Sequence, residues 1–240
     1  MKRISHPLGA ASAKSRTNGG FTLVEMLVSL LILAIVTGAV FEQINAMQKK
    51  ANSEAVNVDL NQQSRDFLDQ TVRDLHMAGY PGPSMYSNPS AHPSLVAAGL
   101  VKVSPTEILL EGDVNNDGSV YSVDIAYVAS DPNDPNCPCV RRSAQAKTDM
   151  NSFSQGISPF YTETQHVLPP DQAGEDLFAY YDQNGNVVPI GTGTDMLADP
   201  AKVSSIKTVK INLNLLTNQR DPQTGGFTRT SMSATSRLNY

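Results

Sequence analysis

The hydrophobic pattern divides the chain into three stretches. From Phe21 to Phe41 apolar residues follow one another with no polar face, and Glu25 is the only ionisable side chain. The run is about 21 residues, roughly 31 Å as a helix, which matches the hydrocarbon core of a bilayer. From Glu42 to Ala78 neither Gly nor Pro occurs, and apolar residues recur three or four apart at Ile44, Met47, Ala51, Ala55 and Val58, then at Leu60, Phe67, Leu68, Val72 and Leu75. This spacing predicts a single continuous helix whose second half carries one apolar stripe. Asp59, Asp66, Asp69, Arg73 and Asp74 fall among its remaining, polar positions. Gly79-Tyr80-Pro81-Gly82-Pro83 ends the helix, since glycine accepts a left-handed cap and proline cannot continue. The result is a helix of about 58 residues and ~87 Å. Its uniformly apolar first half cannot be buried by one small domain and requires another destination.

Beyond Pro83 short apolar runs alternate with turn residues, which predicts a β-rich domain. Glu107–Glu111 and Ser122–Val128 read as a hairpin across Asp113–Gly118, and Val140–Ser143 as a third strand. Phe178–Tyr181 and Val187–Ile190 flank Asn184-Gly185, a tight-turn signal. The alternation at Val209, Ile211, Leu213 and Leu215 places Val203–Leu216 opposite Phe227–Leu238, across Asp221–Gly226. The predicted class is α+β, a long N-terminal helix packed on an antiparallel sheet. Its segments are 1–20, 21–41, 42–79 and 80–240.

Charge gives the apolar run an orientation. Residues 1–20 carry Lys2, Arg3, Lys14 and Arg16 with no acid, which holds that end in the cytoplasm and places the C-terminal bulk outside. The whole chain has a net charge of -5, and no basic stripe with interleaved aromatics lies outside the leader, so nucleic acid is not an expected partner. A carboxylate inside an apolar run is costly and needs a cation, which makes Glu25 a candidate functional residue; the alternative is a tolerated acid near the membrane interface.

A secretory signal peptide places its cleavage site after the apolar core, but here Gly19-Gly20 precedes it. Lys14, Arg16, Gly19-Gly20 and Phe21-Thr22-Leu23-Val24-Glu25-Met26-Leu27-Val28 resemble the class III signal of type IV prepilins and type II secretion pseudopilins. The resemblance implies cleavage between Gly20 and Phe21 by a prepilin peptidase and N-methylation of Phe21. It also implies that Glu25 meets the free amine of a neighbouring subunit's Phe21, setting axial register. Many members bend the helix with a proline just past the apolar run; Glu42 and Gln43 stand there, so a straighter helix is expected, with a soft point at Gly38. The helix end, the acidic-turn hairpin, Cys139-Val140-Arg141-Arg142, Tyr180-Tyr181-Asp182 and the final long hairpin are similar to PilW-type minor pilins, and next to the J-type minor pseudopilin. Glu25 argues against the K-type tip pseudopilin, which lacks that acid. The resemblance implies a minor subunit that primes or caps a filament, with minor pilins, the major pilin, the peptidase and the inner membrane as partners. It would sit as a single-pass membrane protein before assembly, and in a pilus or periplasmic pseudopilus after it.

Two local motifs stay open. Asp113, Asn115 and Asp117 place oxygen donors at alternate positions, with Gly118 sixth and Asp124 twelfth, a spacing that matches a calcium loop except for Asp in place of Glu; the other reading is a polar hairpin turn. Cys137-Pro138-Cys139 can be a loop-closing disulfide, a reactive thiol pair, or free or intermolecular cysteines, and no histidine lies nearby to complete a zinc site. No nucleophile elbow, phosphate loop or dinucleotide fingerprint is present, and Gly191-Thr192-Gly193-Thr194 lacks the strand–loop–helix context, so no enzymatic activity is expected. Three function classes remain: pilus subunit, secretion pseudopilin, and a membrane-anchored module that binds through calcium.

Overall fold

A computed structural model of the chain describes residues 19–132, 134–135, 137–153, 155, 158–191, 193–220 and 225–239. Residues 1–18, where most of the expected leader falls, Thr192 and residues 221–224 of the expected last turn lie outside the described residues. The chain separates into two units, one ending at Lys49 and the other running from Lys50 to Tyr240.

Helix α1, Leu23–Met77, accounts for the described regular structure of the first unit and continues into the second. It begins two residues later than Phe21 and ends one before Ala78, and it is unbroken at Gly38, Glu42 and Gln43. Every described side chain from Gly19 to Lys49 is exposed.

The second unit contains two antiparallel sheets. The strands are β1 (Gly99–Val103), β2 (Glu107–Gly112), β3 (Tyr121–Val128), β4 (Cys139–Ala146), β5 (Tyr161–Gln165), β6 (Phe178–Tyr181), β7 (Thr194–Asp195), β8 (Thr208–Arg220) and β9 (Phe227–Arg237). Six strands run in the order β5-β4-β3-β2-β1-β7, and three in the order β6-β8-β9. The β2–β3–β4 meander and the β8–β9 hairpin are those predicted from the alternation. Short helices α2 (Pro170–Ala173) and α3 (Pro200–Ser205) complete the unit.

Three expectations change. Val203 lies in α3, where Pro200 at the first helical position favours a turn of helix, so the strand begins only at Thr208. Val187–Ile190 makes an isolated bridge from Val187 to Tyr181 and one further bond from the Val188 N–H to the Tyr180 carbonyl. Pro189 has no N–H to extend that pairing, and β6 finds its long partner in β8 instead. The apolar stripe of α1 is buried only in its later part. Met47 and Val58 are 70% and 64% exposed, whereas Leu60, Phe67, Leu68 and Leu75 enter the core.

That core joins the helix stripe to Leu110, Val123, Ile125 and Val140 of one sheet and to Ile211, Leu213 and Leu215 of the other. Val56, rather than Val58, is the first helical residue to pack against it. Gly79 adopts φ 78° and its N–H donates to the Glu111 carbonyl, so the helix stops against β2. Gly112 faces this junction, and a Cβ there would collide with the Met77 carbonyl.

Candidate functional site

Gly19 and Gly20 lie outside any helix or strand and are exposed, so the peptide bond before Phe21 is open to an enzyme. The helix opens on Thr22. Its hydroxyl accepts the Glu25 N–H at 3.3 Å, and its carbonyl accepts the Met26 N–H at 3.2 Å. Thr22-Leu23-Val24-Glu25 therefore has the spacing of a capping box, in which a threonine oxygen satisfies a donor of the first turn. A reading of this segment as a signal alone misses the role of Thr22, whose trace in the sequence is the Thr-x-x-Glu spacing. Glu25 sits in the first turn, at the positive end of the helix dipole. Its carboxylate makes no hydrogen bond or ion pair among the described residues.

The apolar run beyond it is exposed without exception: Leu27 58%, Leu31 63%, Ile35 64% and Phe41 61%. None of it is buried, and by length and composition it can cross a membrane. The hydroxyls inside it are satisfied within the helix: Ser29 donates to the Glu25 carbonyl at 2.8 Å and Thr37 to the Leu33 carbonyl at 2.7 Å. Backbone and hydroxyl groups that close their bonds locally are what hydrocarbon demands. The segment thus lacks nothing that water would supply, except a partner for one carboxylate.

The globular unit treats charge in the opposite way. Asp74, placed by the pattern on the polar face of α1, is buried and accepts from Arg142 Nε at 2.8 Å and Gln70 Nε2 at 2.8 Å. Arg142 lies on the face of β4 that meets the helix, which a linear pattern cannot reveal. Burial raises the Asp74 pKa, against the lowering effect of Arg142, and burial likewise raises that of Glu163 beside the same arginine. A polar cleft of about 550 Å³ opens here, lined by Asp66, Asp69, Gln70, Arg73, Arg142 and Glu163. A second pair lies deeper. Lys147 Nζ donates to Glu111 Oε2 at 2.5 Å and to the Val96 carbonyl at 2.9 Å, and the Ala98 N–H reaches the same carboxylate oxygen at 2.9 Å. Both side chains are at most 2% exposed. These contacts tie the chain before β1 to the central strands.

Of the residues spaced like a calcium loop, Asp113 and Asp117 come together and Asp124 does not. The two Asp113 oxygens accept the N–H groups of Asp117 and Gly118, at 3.0 and 2.9 Å. Asp117 accepts the Ser119 N–H and the Tyr121 hydroxyl, and the hydroxyl bond lowers its pKa. Asn115 is exposed. Asp124 stands on β3 between Leu109 and Ser143. Burial, with Glu107 nearby, pushes its carboxyl up to about 7, and its Oδ1 has no hydrogen-bond partner among the described residues. Among the described residues, the one cluster of ligand atoms within 4.8 Å is Asp134, Cys137 and Cys139. Cys137 and Cys139 are joined by a disulfide, Cα to Cα 4.3 Å, so they offer no thiolate. Asp134 accepts from Thr162 Oγ1 at 2.7 Å and from Arg141 at 3.3 Å, and Arg141 also binds Asp131.

Comparison with known proteins adds one finding. Residues 15–41 match the family described as the prokaryotic N-terminal methylation motif. The matched segment contains Gly19, Gly20, Phe21, the Thr22 cap and Glu25, and it ends where the apolar run ends. No curated protein and no solved structure matches the chain.

Proposed function

We propose that this chain, type IV pilin-like in its methylation motif and its single apolar helix, is a minor pilin that primes or caps a type IV pilus. Cleavage between Gly20 and Phe21 creates a new amine at Phe21, which is then methylated. The carboxylate of Glu25 pairs with the Phe21 amine of the adjacent subunit and sets the axial register as subunits leave the membrane. The observation that carries this reading is the Glu25 carboxylate, unpartnered among the described residues, one helical turn beyond the Gly20–Phe21 bond, on a helix whose side chains are all exposed up to Lys49. An apolar surface of this extent in an exported chain calls for lipid first and other helices afterwards. The Thr22 cap keeps the first turn wound, so that Glu25 is held at a constant distance from the new terminus.

The same N-terminal chemistry serves type II secretion pseudopilins, and the J-type subunit is the second reading. Complementation decides between them, by showing whether deletion of the gene abolishes piliation or protein secretion. The assembly mechanism has its own test. Glu25→Ala is expected to be cleaved normally, with mass spectrometry finding methylated Phe21 as the first residue, and to lose at least ~10-fold in incorporation, in line with an ion pair inside an apolar environment. Normal incorporation of the cleaved variant would exclude the register role.

A further inference from the structure

The sheet edges of the globular unit are unequal. In the six-stranded sheet the outer strands β5 and β7 span 5 and 2 residues, and in the other sheet β6 spans 4. The fourth edge, β9, spans 11 residues and among the described residues pairs on one side only, with β8. Its register from Thr208↔Arg237 to Leu216↔Arg229 is continuous, and no proline interrupts it.

The hydrogen bonding shows which groups the open side presents. The Leu238 N–H donates to the Lys207 carbonyl, which makes that pair a bonded one. Antiparallel ladders alternate bonded and non-bonded pairs. Ser236, Ala234, Met232 and Thr230 therefore bond β8, while the N–H and C=O groups of Arg237, Thr235, Ser233, Ser231 and Arg229 point away from it. β8 agrees from its other side, since the Asn212 N–H donates to Leu177 and the Leu216 N–H to His166. An open row of this length is a template for another strand.

Charge selects the occupant. β9 carries Arg229 and Arg237 and no acid, in a chain of net charge -5. A second copy of β9 is a poor partner: antiparallel pairing centred on Ser233 sets Arg229 opposite Arg237 at both ends, and in-register parallel pairing stacks each arginine on itself. We propose that β9 is an acceptor edge for β-augmentation, taking an extended acidic segment of a partner protein as a further strand, with carboxylates opposite Arg229 and Arg237. The Arg237 side chain makes no hydrogen bond or ion pair among the described residues and is available for this. Arg229 already donates to the Ala173 carbonyl and to Asn214 Oδ1, which holds its guanidinium in place. This inference stands on the edge itself and does not depend on the pilin reading.

Amide hydrogen exchange on the full chain in detergent tests it. In the protein alone, the amides of Arg229, Ser231, Ser233 and Thr235 should exchange fast, and those of Thr230, Met232 and Ala234 slowly. A synthetic strand of alternating threonine and valine with a glutamate near each end should slow the first set by about tenfold or more. The same strand with lysines should not. Ser233→Pro removes one outward N–H and leaves the bonds to β8 intact, as edge prolines do, so it should abolish peptide protection at an unchanged thermal midpoint. Should that variant unfold, Arg237→Glu serves in its place and should abolish the preference for the acidic strand over the lysine strand, since the edge then presents one charge of each sign. Three results would overturn the proposal: no protection of these amides by the acidic strand, equal protection by the lysine strand, or protection produced by concentrating the protein alone, which would give the edge to a second copy.

Discussion

The two halves of α1 are continuous in backbone and opposite in what they do with side chains. From Gly19 to Lys49 no described side chain is buried, the hydroxyls of Ser29 and Thr37 turn back onto the helix, and the lone carboxylate of Glu25 has no partner among the described residues. After Val56 the helix buries Leu60, Phe67, Leu68 and Leu75, and its buried acid, Asp74, is held by Arg142 and Gln70. Helix propensity does not separate the halves, since both are rich in good formers. The difference lies in who supplies the partner. The second half finds it in its own β-domain, whereas the first half must find it in lipid or in another chain. Under the proposed function, a charge left unpaired in the first half serves assembly, whereas one unpaired in the second would be a folding defect.

That contrast can be broken most severely at Lys147. Lys147→Met leaves the buried Glu111 carboxylate uncompensated and is expected to cost about 3–5 kcal/mol of domain stability, read as a lowered midpoint of thermal unfolding. Glu25→Ala, by comparison, should leave that midpoint where it is. If both variants behave alike, charges in the two units do not serve separate purposes.

A matched pair of leucines sharpens the same point. Leu75 is fully buried and Leu31 is 63% exposed. Leu75→Ala should destabilise the domain by about 2–5 kcal/mol through lost burial and a cavity. Leu31→Ala should leave domain unfolding unchanged in detergent, with any effect confined to membrane insertion or filament formation.

A smaller effect is expected from pH. The Asp124 carboxyl, raised to about 7 chiefly by burial, binds a proton more tightly in the folded state than in the unfolded chain. Stability from this group therefore rises as pH falls from 8 toward 5, and the gain is complete only below the unfolded value. Thermal midpoints should climb by ~5 °C across that window, and Asp124→Asn should flatten the rise. Asp117 and Asp182, whose pKa values are lowered by hydrogen bonds, act with the opposite sign at still lower pH.

The smallest expected change concerns calcium. The Asp113 oxygens already accept two backbone N–H groups, and Asp124 lies along β3 away from them. Millimolar calcium should accordingly shift the midpoint by less than ~1 °C, the size of a change without specific binding. A larger stabilisation would support the calcium-loop reading of Asp113, Asn115, Asp117 and Asp124.

By itself the sequence determined the features that need no distant contact. The Gly20–Phe21 junction, the apolar run with Glu25, the long helix and its glycine stop, the β2–β3–β4 meander and the β8–β9 hairpin all rest on local period and turn chemistry, which nearest neighbours encode. Thr22 is legible in the same way, through its spacing to Glu25. Other features depended on which surfaces the fold brings face to face. Asp74 looks solvated on a helical wheel, yet Arg142, 68 positions away, meets it across the core. Glu111 and Asp124 fall where a half-exposed strand would place polar side chains, yet both are buried. The short strands β5 and β7 exist because neighbours complete them, and β9 is an open edge because no further described strand pairs with it. Pairing across a sheet joins residues without regard to their separation along the chain, so only the tertiary structure could decide which charges of the β-domain are paired inside the molecule.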